Sequence, residues 1–176
     1  MPPVQPLAGV KVLDFSTLLP GPLAGLMLAE AGADVVKIER PGPGEDMRHY
    51  EPKWGRDAIS FALLNRGKKS VAIDLKDPRQ AALLEPLVRE ADVLIEQFRP
   101  GVMDRLGLGY RAVSAINPRL VYCSITGYGQ TGPKAGTAGH DLNYQGDAGM
   151  LALSLGDPQH PTAPPVLAAD LAGGTY

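Results

Sequence analysis

The chain holds a single cysteine, Cys123, in 176 residues. One thiol makes no internal disulfide and no cysteine-based zinc site, and it suits a reducing, cytoplasmic compartment. No apolar run reaches the roughly 18–20 residues that cross a bilayer. Met1-Pro2-Pro3-Val4-Gln5-Pro6 has neither the basic start nor the apolar stretch of a secretion signal. Charge of one sign is also missing. With 17 Lys and Arg against 19 Asp and Glu, the formal net charge is −2. Nothing electrostatic therefore points to nucleic acid or to an anionic membrane as a partner.

What is present is a globular composition, 44% hydrophobic and 20% charged, of a length that suits one domain with a substantial core. The anomaly is 21 Gly and 17 Pro, together well above the usual share of about 12%. They punctuate apolar segments and form no low-complexity tract. That spacing suits a fold whose backbone approaches a ligand closely at several loops.

Val10–Phe15, Val35–Glu39, Ser70–Leu75, Asp92–Phe98 and Leu120–Ile125 read as strands. Pro20-Gly21-Pro22 reads as a break, followed by a buried helix over Leu23–Ala31. Met47–Ser60 has no clean period and reads as irregular structure around Trp54. Asp77-Pro78 opens a helix through Ala91, with Asp at the N-cap and Pro at the first position. Short helices follow near Gly101–Leu106 and Tyr110–Ile116. After the turn-rich Gly127–Pro133, Leu142–Leu155 is weakly helical, and Asp157–Pro165 is a Pro-rich connector. Val166–Tyr176 reads as a helix just beginning, which predicts a truncated chain or a fragment. The expected architecture is α/β, a largely parallel Rossmann-like sheet flanked by helices. Ligands on such sheets sit beyond the carboxyl ends of the strands.

Several residues could carry chemistry there. Arg40, Lys76, Arg99 and Arg105 stand at or just after strand ends, where a guanidinium fork suits phosphate. Each alone is more often a solvated surface charge, and it is their gathering at one sheet edge that makes a phosphate-bearing ligand an equal alternative. Gly21–Gly25 opens a helix after a strand but lacks the dinucleotide spacing, so it is either an anion site or tight helix packing. His140 lies among Gly and Asp, as a base or as a structural histidine. His49 and His160 have weaker contexts. Asp170 interrupts the apolar Val166–Gly174, where a carboxylate is costly unless paired, capping or working. Asp141 either orients His140 or caps the helix after it. Cys123 reads as a packed core thiol.

Taken in order, Leu7–Phe15, Pro20–Gly25, Gly32–Pro41, Asn65–Lys76, Ala91–Leu108, Thr126–Pro133, Gly139–Tyr144 and the Asp170 segment form a specific set. With them the chain resembles the class III CoA-transferase (CaiB/BaiF) superfamily, which includes the alpha-methylacyl-CoA racemases. The resemblance implies that residues 1–176 form an N-terminal CoA-binding domain, with catalytic segments at 139–144 and 168–174 and the C-terminal remainder absent. It implies an acyl-CoA thioester substrate, an interlocked homodimer, and no metal or redox cofactor, CoA being part of the substrate. CoA contacts fall on Arg40, Ile73, Lys76, Gln97, Phe98, Arg99 and Arg105, and Leu18-Leu19-Pro20 would lie near the pantetheine.

In the transferases of this superfamily the carboxylate at the Asp170 position is a nucleophile. In the racemases it is one of two bases, and the other is a histidine in a Gly-His-Asp-x-Asn-Tyr context. Here Gly139-His140-Asp141-Leu142-Asn143-Tyr144 lies 30 residues before Asp170, as in the racemases. Ala169 replaces the usual glycine before the carboxylate, and Leu171-Ala172 precede Gly173. The expected activity is 2-methylacyl-CoA racemisation by two-base 1,1-proton transfer between His140 and Asp170. The enolate oxygen would be held by the Asp170 N–H or a neighbour at the start of its helix. The alternatives are CoA transfer through an acyl-enzyme on Asp170, and an inactive CoA-binding fragment.

Overall fold

The structure is a computed structural model that describes residues 4–153, 157, 159, 160 and 162–175. The ends of the chain and parts of the 154–165 connector, including Ser154 and Leu155 of the expected helix, lie outside the described residues.

Five parallel strands form the main sheet: β1 (Lys11–Asp14), β2 (Asp34–Glu39), β5 (Lys69–Ala72), β6 (Val93–Glu96) and β7 (Val121–Ser124). β3 (Lys53–Trp54) and β4 (Asp57–Ala58) make a separate small antiparallel hairpin. The sheet order is β5-β2-β1-β6-β7. The order reverses between β1 and β6, the switch point at which α/β sheets open a crevice for ligands. Among the described residues no helix is long and apolar enough to cross a membrane.

Alternation along each strand splits the core in two. Leu13 and Leu94 face one layer with Leu84, Val88, Met103 and Val113. Val12 and Ile95 face the other, with Val35 and the Ala24, Leu28 and Ala29 side of α1 (Pro20–Glu30). Both faces of the central strands are covered, so they read as apolar runs and not as alternating ones.

The expected strands are all present: β1, β6 and β7 are trimmed at both ends, β2 begins one residue earlier than expected, and β5 runs from Lys69 and stops at Ala72. The helices differ more. Pro20-Gly21-Pro22 does not break the chain but forms the first turn of α1, where a missing N–H costs nothing. The span after Asp77 is three pieces: α3 (Pro78–Ala81), a 3₁₀ turn at Ala82–Leu84 and α4 (Glu85–Glu90). Pro86 lacks the N–H that a continuous helix would need there. Asp77 caps as expected, accepting from the Arg79 N–H at 3.0 Å. The stretch after Met47 is more ordered than expected: a 3₁₀ turn at Asp46–His49, the β3–β4 hairpin and α2 (Ile59–Leu64). Trp54 does not organise it, being 75% exposed.

α5 (Val102–Arg105) and α6 (Tyr110–Ile116) match their expected positions. The weakly helical stretch is α7 (Asp141–Asp147) and α8 (Met150–Leu153), separated by Gly149 at φ 79°. α9 (Ala168–Thr175) completes the described chain and packs on α1. A Cβ at Gly174 would stand 2.5 Å from the Pro20 carbonyl oxygen. Cys123 is not a core thiol. It is exposed, because β7 is an edge strand with one face uncovered in this chain.

Candidate active site

A cavity of about 420 Å³ opens at the switch point. Its walls come from the loops after β1 (Thr17, Leu18), β6 (Gln97–Pro100) and β7 (Ile125–Tyr128), from the 135–140 segment, and from α7 and α9. His140 and Asp170, 30 residues apart, both line it.

His140 is the N-cap of α7, in extended backbone at φ −126° and ψ 177°. Its N–H donates to Asn143 Oδ1 at 2.9 Å, so the asparagine fixes the backbone that carries the imidazole. The Tyr144 hydroxyl donates to the Gly139 carbonyl at 2.8 Å. A Cβ at Gly127 would fall 2.2 Å from the Tyr144 ring, and one at Gly139 would fall 2.8 Å away. Glycine in both segments lets the ring sit flush against backbone, beside an edge-on contact with Tyr128. Gly139, His140, Asn143 and Tyr144 thus act together to set the imidazole's place.

Asp141 neither orients the imidazole nor caps its own helix. It is buried, and its Oδ1 accepts from the N–H groups of Ala169 and Asp170 at 2.8 and 3.1 Å. Its Oδ2 accepts from Gln145 Nε2, which also donates to the Val166 carbonyl at 3.1 Å. A carboxylate at the start of a helix satisfies donors that have no partner within it. Asp141 therefore caps α9, staples α7 to α9, and fixes the backbone that carries Asp170. Sequence reasoning missed this role, since a capping partner 28 residues away leaves no local signal. The same contact corrects the expected oxyanion donor, because the Asp170 and Ala169 N–H groups are already engaged by Asp141.

Asp170 is half-buried. Burial, with the nearby Asp141 carboxylate adding to it, raises its pKa above the ordinary aspartate value, and His140 partly opposes the shift. Burial and the Asp170 charge raise the Tyr144 phenol, and Arg99 pulls the other way. His140, Asp170, Tyr144 and Arg99 therefore share one electrostatic neighbourhood.

The expected CoA contacts divide among three cavities and do not gather in one. Gln97, Phe98 and Arg99 line the central one. Arg40 lines a second, with Gly44, His49 and Arg56; it pairs with Asp46 and donates to the Gly44 carbonyl at 2.7 Å. Lys76 and Arg105 line a third, with Leu75 and Pro78. Ile73 lines none of the three. It is 4% exposed and packs in the larger core layer, since its N–H continues the β2–β5 ladder to the Glu39 carbonyl. Gly21 is not an anion site. Its N–H donates to Gln97 Oε1 at 2.9 Å, and a Cβ there would fall 2.1 Å from that of Ser16. Tight helix packing is the reading that holds. His49 contacts the Pro43 carbonyl, and His160 pairs with Asp157, both away from the central cavity.

A family model described as CoA-transferase family III matches residues 7–176. The chain belongs to this family. It is 40% identical over 174 residues to a human succinyl-CoA:glutarate CoA-transferase, covering 98% of this chain and 40% of the relative. It is 42% identical over 168 residues to the human alpha-methylacyl-CoA racemase, covering 96% of this chain and 40% of that one. A CAIB/BAIF family protein from Brucella suis superposes with a TM-score of 0.92 at 42% identity, over 99% of this chain and 47% of its own. The chain thus spans less than half the length of these relatives. Membership of CoA-transferase family III makes this an enzyme fold whose relatives include both CoA-transferases and a racemase.

Proposed function

We propose that this chain is the CoA-binding, catalytic-segment half of an enzyme acting on acyl-CoA thioesters, and that its reaction is 1,1-proton transfer at the carbon α to the thioester carbonyl. The observation that carries this reading is that His140 and Asp170 line the same cavity from two different helices. One base removes the α-proton, and charge moves onto the thioester oxygen. The opposite group, in its acid form, returns a proton to the other face and inverts the centre. An aspartate with a raised pKa is suited to this exchange, because its acid form is more accessible near neutral pH. The substrate class is a 2-methyl-branched acyl-CoA. Gln97, Phe98 and Arg99 contact it next to the reacting carbon; Arg40, Lys76 and Arg105 serve the more distant phosphates. The working form is a homodimer.

CoA transfer is the second reading, and a separate observation favours it. Relatives named as CoA-transferases match at 40–42% identity over nearly the whole chain. By likeness alone the balance lies with transfer; by the residues in the cavity it lies with proton transfer. In the transfer reading Asp170 attacks the thioester carbonyl and expels CoA thiolate, giving an acyl-aspartyl anhydride. The thiolate attacks the aspartyl carbonyl, releasing the donor acid and leaving an aspartyl-CoA thioester. The acceptor carboxylate then displaces the thiolate to form a second anhydride, whose acceptor carbonyl the thiolate attacks, restoring the Asp170 carboxylate.

One experiment separates them. The intact polypeptide is incubated in D2O with a 2-methylacyl-CoA, and deuterium at Cα is followed by mass spectrometry. The expected result is exchange in the parent and its loss in both His140→Ala and Asp170→Ala. Exchange that survives both changes would sink the two-base scheme. Hydroxylamine trapping of an acyl group on Asp170, with indifference to His140→Ala, would establish transfer instead.

A further inference from the structure

Four ionisable side chains lie buried beneath the loop that joins β1 to α1, and none lines the central cavity. Lys68 and Asp14 pair at 2.9 Å, with side chains 1% and 0% exposed. Lys37 and Glu45 pair at 2.5 Å, each 1% exposed. Besides the Asn65 amide oxygen, which accepts from Lys68, and the Ser16 hydroxyl, which donates to Asp14, their partners are backbone groups of this loop and of the first turn of α1. Lys68 Nζ donates to the Pro22 carbonyl at 2.8 Å, and Lys37 Nζ to the Ser16 carbonyl at 2.7 Å. Asp14 accepts from the Ser16 N–H at 2.9 Å. Glu45 Oε1 accepts from the Leu18 N–H at 2.7 Å.

Leu18 is the residue that needs holding. Its φ is 63°, and among the described residues it alone takes a positive φ without being glycine. That conformation brings the Cβ of an L-residue too close to the following carbonyl oxygen. It persists only where the surroundings over-determine it, and such positions cluster at functional sites. Leu18 lines the central cavity and also packs against the Met47, Ala58 and Phe61 cluster. Stability alone does not account for the ions below it. A buried pair is commonly no better than well-packed hydrophobic residues in its place.

We propose that Glu45 is a positioning residue. Held by Lys37, it fixes Leu18 in the left-handed conformation and so sets the wall of the cavity that carries His140 and Asp170. The proposal rests on the acyl-CoA reading of that cavity.

The test compares two double variants of the intact polypeptide, Lys37→Met/Glu45→Gln and Lys37→Met/Glu45→Leu. Both remove the ion pair without stranding one charge. Only glutamine keeps an oxygen for the Leu18 N–H. The readouts are hydrogen exchange at the Leu18 amide and the kcat and KM of Cα deuteration. The glutamine variant is expected to retain most of the parent kcat and a protected Leu18 amide. The leucine variant is expected to lose kcat about tenfold, with faster Leu18 exchange, as one hydrogen bond to the loop is lost. Leu18→Val, whose β-branch resists positive φ while the ion network stays intact, is expected to lower kcat likewise. The proposal is overturned if the two double variants match in kcat and in Leu18 exchange, or if Leu18→Val leaves kcat unchanged. Absence of deuteration in the parent would refute the proton-transfer reading alone, because the Leu18 exchange comparison still decides the positioning role.

Discussion

Removing the Asp141 carboxylate should disconnect α9 from α7 and retune Asp170. The carboxylate accepts three hydrogen bonds, from Ala169 N, Asp170 N and Gln145 Nε2. Bonds to a charged acceptor are worth about 1.5–3 kcal/mol each. The simple sum overstates the loss, because Ala169 and Asp170 are half-buried and water can reach their N–H groups. Asp141→Ala is therefore expected to cost about 3–4 kcal/mol, read as a fall in the urea midpoint at unchanged slope. Asp141→Asn keeps an oxygen for the two α9 N–H groups and loses the negative charge at the helix start, a cost of about 1 kcal/mol. Asp170 supplies an independent readout. Its pKa is raised by burial and, beyond that, by Asp141. Asp141→Asn should therefore lower it, as followed by carboxyl-carbon NMR titration. The linkage has a definite sign. A raised carboxyl pKa favours folding below the unfolded pKa, and that contribution is lost as pH rises through the folded value. The asparagine variant should lose less stability across that window than the parent. An alanine cost below about 1 kcal/mol would refute the capping argument, and an Asp170 pKa that stays put or rises would refute the electrostatic one.

Three further outcomes follow from the packing and the ion pairs. Burial alone would push Glu39 up, but Arg48, Ser70 and the Glu45 N–H hold it down at about 2 against an ordinary 4.5. Its contribution should be complete above the unfolded pKa and lost as pH falls toward about 2, up to about 3 kcal/mol; Glu39→Gln should flatten the acid limb of a denaturation-versus-pH curve. Gly174→Ala puts a Cβ 2.5 Å from the Pro20 carbonyl, so α9 must move away from α1. It should cost about 1–3 kcal/mol in thermal unfolding, while Gly173→Ala, whose nearest contact is at 4.0 Å, should stay within about 0.5 kcal/mol of the parent. Leu94, fully buried between β1 and β7, should cost about 2–5 kcal/mol when cut to alanine, and an urea titration checks it.

The sheet was legible because its physics is local. Each central strand is buried on both faces, so β1, β2 and β6 appear as short apolar runs bounded by turn residues. The helix interruptions were less legible. Pro20 and Pro86 carry the same ring, but Pro20 starts a helix and Pro86 divides one. Only the hydrogen-bond partner available upstream tells them apart. Cys123 was misread because β-propensity marks a strand without saying whether it lies at the edge.

The site divides along a similar line. Gly139, Asn143 and Tyr144 act within five residues of His140, so a motif can record them. Asp141 acts on Ala169 and Asp170, and Glu45 acts on Leu18, across 28, 29 and 27 residues. No spacing rule reaches that far without the fold. Both long-range carboxylates are buried, and each spends one oxygen on backbone N–H groups and the other on a side chain. Neither side chain is free to meet a substrate. Their effect on chemistry is to fix where other groups stand, which is why a reading built from reactive residue types finds His140 and Asp170 and passes over the two acids that set their surroundings. The same division bears on the choice between proton and CoA transfer. Both chemistries need Asp170 held by Asp141. The proton-transfer proposal asks for one group more, the imidazole on the backbone that Asn143 holds, and that bond by itself is equally a helix cap.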